Sequence, residues 1–100
     1  MAKQIIWSPR AQKDRENILN YWRQRNKSNA YSTKLNNLFK NAIILIRDFP
    51  QIGKPTDDKK VKAKIVRDYL ILYEETDATI NILTIWDSRK DPKELEKIIN

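Results

Sequence analysis

Lys60, Lys62 and Lys64 fall at every second position of one segment. In an extended chain that spacing sets three ammonium groups in a row on one face. Arg89 and Lys90 follow the last apolar run, and Arg67 lies in a short polar break between two others. A row of cations neutralises phosphates, and a guanidinium grips a phosphate or carboxylate through two parallel hydrogen bonds. Metal-free RNA cleavage asks for a base at the 2′-hydroxyl, a cation at the phosphate oxyanion and an acid at the leaving 5′-oxygen. Lys62, Lys64 and Arg89 could fill those roles, a lysine serving as base only if its pKa fell by roughly 3 units through burial or crowded cations. Tyr73 could stack on a base or lend its hydroxyl as the acid. Each residue also has a plainer reading. The lysines could be the solvated face of a strand that guards an edge. Arg89 could pair with Asp87 or Asp91, Arg67 could pair with Asp68, and Tyr73 could fill the margin of a core.

The rest of the composition removes most other chemistry. The chain has 100 residues, which suits one domain over residues 1–100. It has no Cys and no His, so thiolate nucleophiles, imidazole bases and zinc–thiolate sites are excluded. Gly53 is the only glycine, too few for a phosphate-binding loop or a dinucleotide fingerprint. Asp57-Asp58 reads as turn chemistry, because no second acidic cluster lies nearby to complete a metal site. No cofactor, metal or small-molecule ligand is expected. No apolar run approaches the ~20 residues of a membrane span, and a cytoplasmic protein is expected. The formal net charge is +7. All of it sits in residues 1–50, which carry ten Lys or Arg and three acids, Asp14, Glu16 and Asp48. Such a surplus attracts an anionic partner, either nucleic acid or an acidic protein segment.

Local pattern supplies the elements that hold these residues. Lys3–Trp7 predicts a strand. Ser8-Pro9 then caps a helix from Pro9 to about Arg25. Asn26–Asn29 is a polar break, with Ser28 as the second cap. Tyr31, Leu35, Leu38, Ala42, Leu45 and Phe49 step by four and three and predict a second helix, its stripe widened by Phe39, Ile43 and Ile46. The short connection predicts an antiparallel helical hairpin. Residues 49–58 read as a loop, from Pro50, Gly53 and Pro55. Strands are predicted over Val61–Val66, Tyr69–Glu74 and Thr79–Trp86, with Val61, Ala63 and Ile65 on one face and the lysines on the other. Tyr69, Ile71 and Tyr73 share one side of their strand. Pro92–Ile99 suits a short helix capped by Asp91. Trp22 and Tyr31, near the hairpin tip, are the apolar candidates for a protein contact. The order β-α-α-β-β-β-(α) is an α+β fold, an antiparallel-rich small sheet with the helical hairpin packed on one face.

The same order resembles the RelE/ParE superfamily of bacterial toxins, and four segments carry the likeness over residues 3–92. Ile6-Trp7-Ser8-Pro9-Arg10-Ala11 resembles the family's opening, and Phe49-Pro50-Gln51-Ile52-Gly53-Lys54-Pro55 its "FPxxGxP" loop. Tyr69-Leu70-Ile71-Leu72-Tyr73 resembles its "YxxxY" strand, and Ile82 to Pro92 its closing strand with an Arg-containing exit. The resemblance implies the toxin of a type II toxin–antitoxin module, blocked by a cognate antitoxin. It implies one of two targets. ParE-like members inhibit DNA gyrase without demonstrated enzymatic chemistry; RelE-like members cut mRNA in the ribosomal A site. The long hairpin and the loop are similar to ParE. The absence of His, and of a Tyr after the last strand, departs from several mRNA-cutting relatives. Under either reading Lys60, Lys62, Lys64, Arg67, Tyr73, Arg89 and Lys90 are the expected contacts to the target. Under the endoribonuclease reading Lys62, Lys64 and Arg89 would be catalytic.

Overall fold

The chain turns from strand to helix at Ser8-Pro9, where the sequence predicts it. The computed structural model describes residues 3–90, and the helix expected over Pro92–Ile99 lies outside them. Strand β1 is Gln4–Trp7. Ser8 caps helix α1, Pro9–Asn26, by accepting the Ala11 N–H at 2.9 Å. Pro9 takes a first-turn position, where its missing N–H leaves no bond unmade. The helix ends at Lys27, whose φ of 51° is left-handed. Helix α2 is Ala30–Asp48. Its cap residue is Asn29, one position later than the sequence suggests, and Ser28 accepts the Ala30 N–H at 3.1 Å.

A five-stranded mixed sheet lies beneath the hairpin, in the order β1-β5-β4-β3-β2. Its other strands are β2, Lys54–Pro55; β3, Val61–Val66; β4, Tyr69–Glu75; and β5, Thr79–Asp87. The edge strand β1 runs parallel to β5, and the remaining pairs are antiparallel. The two-residue β2 falls inside the segment expected as loop. No helix among the described residues is long and apolar enough to cross a membrane.

The core lies between the hairpin and the sheet. From α2 it takes Leu35, Phe39, Ala42, Ile43 and Ile46, and from the sheet Tyr69, Ile71, Tyr73, Ile80 and Ile82. The buried stripe of α2 is therefore rotated from the expected one, because Leu45 and Phe49 point outward. β3 alternates as expected, and its pairing with β4 shows which set faces the hairpin. Directly opposed residues of an antiparallel pair share a face. Lys62 is opposite Tyr73 and Lys64 opposite Ile71, so both lysines lie on the hairpin side of the sheet, at its margin. Val61 and Ala63 are buried on the far face with Leu72, against Leu83, and Ile65 of the same set is half exposed. Alternation was visible in the sequence, but the inward face of β3 is set by where the helices pack.

Both tyrosines of β4 hold distant segments. The Tyr69 hydroxyl accepts the Trp22 Nε1–H of α1 at 2.8 Å. The fully buried Tyr73 donates its hydroxyl to the Pro50 carbonyl at 2.8 Å and accepts the Gly53 N–H at 2.9 Å. A Cβ on residue 53 would stand 2.5 Å from Tyr73 Oη and 2.9 Å from Lys62 Cβ. The lone glycine is thus fixed by close approach.

Gly53→Ala is expected to cost about 1–3 kcal/mol through overpacking. Tyr73→Phe is expected to cost about 1–2 kcal/mol, since two partly buried backbone groups lose their partner. Because the two changes disturb one contact, their sum should exceed the cost of the double variant in urea unfolding. Burial raises the Tyr73 pKa, so its stabilising contribution holds below the unfolded value of ~10 and is lost as pH rises through the folded one. Tyr73→Phe should accordingly reduce the alkaline loss of stability.

Candidate functional site

β5 is nine residues long and its parallel partner β1 only four. Pairing ends at Trp7↔Ile82, and an irregularity in the β4–β5 ladder follows at once. The rest of β5 would present unmatched backbone groups. Side chains from the start of α1 replace the missing strand. Ser8 Oγ donates to the Leu83 carbonyl at 2.8 Å while its N–H donates to Ile82 O at 3.0 Å. One carboxylate oxygen of Asp14 accepts the Ile85 N–H at 3.2 Å and the buried Thr84 hydroxyl. The other lies 3.6 Å from Arg10 Nε.

This arrangement holds α1 across the open end of β5 and leaves a cleft of about 420 Å³ beside the strand's exit. Arg10, Tyr21, Tyr69, Trp86, Arg89 and Lys90 are among its walls. The half-exposed Tyr21 packs edge-on against Trp22, which packs edge-on against Tyr31. Arg89 does not point freely into the cleft. It grips Asp87 with Nε at 2.9 Å and Nη2 at 2.8 Å, and its backbone N–H meets the same carboxylate at 2.9 Å. The side-chain bonds from Arg89 hold the Asp87 pKa below the usual carboxylate range, and the carboxylate raises the guanidinium in turn. Asp87 occupies the Nε–Nη2 side of the guanidinium and leaves Nη1 for an incoming anion. Lys90 holds its ammonium 5.6 Å from the ring centre of the buried Trp86.

The other sequence candidates lie elsewhere. Lys60 and Lys62 line a second concavity with Lys59, Gln51 and the acids Glu74 and Glu75. Lys64 and Arg67 border a third, between β3 and α2. Lys62 is opposite Tyr73, whereas Tyr69 is opposite Asp87 beside Arg89. Those positions are four residues apart on β4, about 13 Å along the strand. General acid–base chemistry needs its groups within hydrogen-bond reach of one substrate atom. The fold does not gather Lys62, Lys64 and Arg89 at one such point. Tyr73 has both sides of its hydroxyl engaged, and Trp22 and Tyr31 pack against the core margin. Asp58 accepts the Lys60 N–H at 2.9 Å in a turn. No cluster of metal-binding side chains occurs among the described residues.

Sequence reasoning missed Asp14, Arg10 and Tyr21. One signal was available for Asp14, an acid four residues after Arg10 and one of only three in the cationic first half.

The Asp87–Arg89 pair sets an acid response. A depressed folded pKa contributes above the unfolded value of ~3.9, and the contribution is lost as pH falls through the lower folded value. Acidification below about pH 4 is expected to release Arg89, seen as movement of its Nε–H resonance. Asp87→Asn should show the released resonance already at pH 7, and an unchanged resonance would disprove the pairing.

The fold is similar to one already solved. A solved structure titled "Chromosomal ParDE TA system from P. aeruginosa" superposes with a TM-score of 0.76 at 13% identity, covering 86% of this chain and 96% of that one. At that identity the likeness is one of fold. No curated protein matches the chain. A family pattern does, over residues 5–92, and it spans both helices and all five strands. The chain belongs to the ParE toxin family of the type II toxin–antitoxin system, parDE.

Proposed function

We propose that this toxin acts by binding DNA gyrase as a rigid module and stalling it, and that its cognate antitoxin relieves the block. The antitoxin partner follows from the family. The observation that carries it is the ParE family match over residues 5–92. The dispersed cations agree with it, since a stalling module needs a complementary surface and no acid–base group. The cleft at the exit of β5 is the proposed contact, through the cationic Arg10 and Lys90 and the exposed ring of Tyr21. These are the residue types that dominate protein interfaces or steer encounter with an acidic surface. Mutual distance among Lys62, Lys64 and Arg89 leaves the ribosome-dependent endoribonuclease reading with less support.

Two readouts separate the targets. Purified toxin should inhibit supercoiling by gyrase in vitro, while mRNA in a translation reaction stays intact. Translation-dependent mRNA cuts with normal supercoiling would overturn the proposal in favour of the endoribonuclease. Lys90→Glu is expected to weaken gyrase inhibition about tenfold, ~1.4 kcal/mol, with little change in thermal stability.

A further inference from the structure

A second strongly charged concavity lies between the two helices. α1 and α2 enclose a groove of about 560 Å³. Lys13, Arg15 and Arg23 line it from α1 and Lys40 from α2, against one acid, Glu16. Lys13, Glu16, Asn20 and Arg23 recur at helix spacing, so they share one face of α1. Lys13, Arg23 and Lys40 are exposed, and none of the four cations pairs with a described carboxylate. Arg15 is braced on an aromatic ring instead, its guanidinium 4.6 Å from the ring centre of Trp7. That stacking leaves its charge unneutralised.

The lining selects the occupant. Asparagines supply the remaining polar groups, and Leu19 is the one apolar residue among the walls. A protein partner draws its affinity from aromatic and apolar anchors, which this groove lacks. Lys, Arg and Asn are side chains that hold phosphate oxygens. Unpaired bases need an aromatic platform, and no aromatic ring lines the groove. A duplex presents its phosphates outward and needs no such platform. Lys13 to Arg23 spans about 15 Å of helix. One strand of a duplex carries about four phosphates over that length, at ~3.4 Å of axis each.

We propose that this groove binds the phosphate backbone of duplex DNA without reading its sequence. Asn17 lines both the groove and the exit cleft, so the two concavities lie on adjoining sides of α1. A toxin held at the cleft by one macromolecule therefore keeps the groove open to DNA. The proposal goes beyond the gyrase reading and does not depend on it.

Fluorescence anisotropy of a short labelled duplex, titrated with the full-length toxin, tests this. Binding is expected with a Kd of about 10⁻⁶–10⁻⁴ M near physiological salt, and log K should fall against log salt with a slope of about −3.6 for four phosphates. Lys13→Gln combined with Lys40→Gln should weaken binding about tenfold or more and make the slope shallower by about 1.8, with thermal stability unchanged. Lys54→Gln combined with Lys59→Gln removes the same charge from exposed positions elsewhere and should leave binding within about twofold. Equal losses in the two double variants would overturn the groove in favour of general charge attraction. Tighter binding of the matching single strand would overturn the duplex as occupant. Tighter binding of a glutamate-rich peptide would overturn DNA in favour of an acidic protein. No binding even at low salt would overturn the proposal outright, while the supercoiling assay still decides the gyrase reading.

Discussion

The carboxylate of Asp14 does the work of a strand. β5 lies between β1 and the central β4, and its last residues run past the end of β1. A half-buried N–H without an acceptor costs about 1–3 kcal/mol, which is a sizeable share of the stability of a small domain. Ser8 and Asp14 provide the missing bonds from the first turns of α1. The orientation of α1 on the sheet, the width of the exit cleft and the position of Arg10 all follow from that substitution.

Much of the architecture is written locally. The Ser-Pro cap, the polar break after α1, the Pro-Gly loop and the three closing strands depend on neighbours in sequence, and they lie where pattern places them. What depends on packing between distant segments was not legible. Period-two alternation in β3 does not say which set faces the helices, so the lysines fell on the hairpin side. The buried stripe of α2 is rotated from the expected one, because Leu45 and Phe49 continue its spacing without continuing its burial. Asp14 meets Thr84 across seventy residues, and no local signal encodes that contact. β2 is two residues long, below what any periodicity can report.

The two most recognisable family segments turn out to be halves of one contact. The second tyrosine of "YxxxY" closes on the glycine and the first proline of "FPxxGxP", through hydrogen bonds at both sides of one hydroxyl. The first tyrosine anchors α1 through Trp22. These two tyrosines are thus framework, which ties the loop and α1 to the sheet. The cations differ among themselves. Arg89 is committed to Asp87, and Lys60 and Lys62 lie beside the acids of β4. Lys90, Arg67 and Lys64 pair with no described acid and border two separate concavities.

A double-mutant cycle between Asp14 and Thr84 tests the central claim most directly. Asp14→Ala, Thr84→Val and the pair are compared by chemical denaturation. The expected result is a coupling energy of about 1–3 kcal/mol between the two positions. Additive effects would contradict the claim that this carboxylate closes the open half of β5.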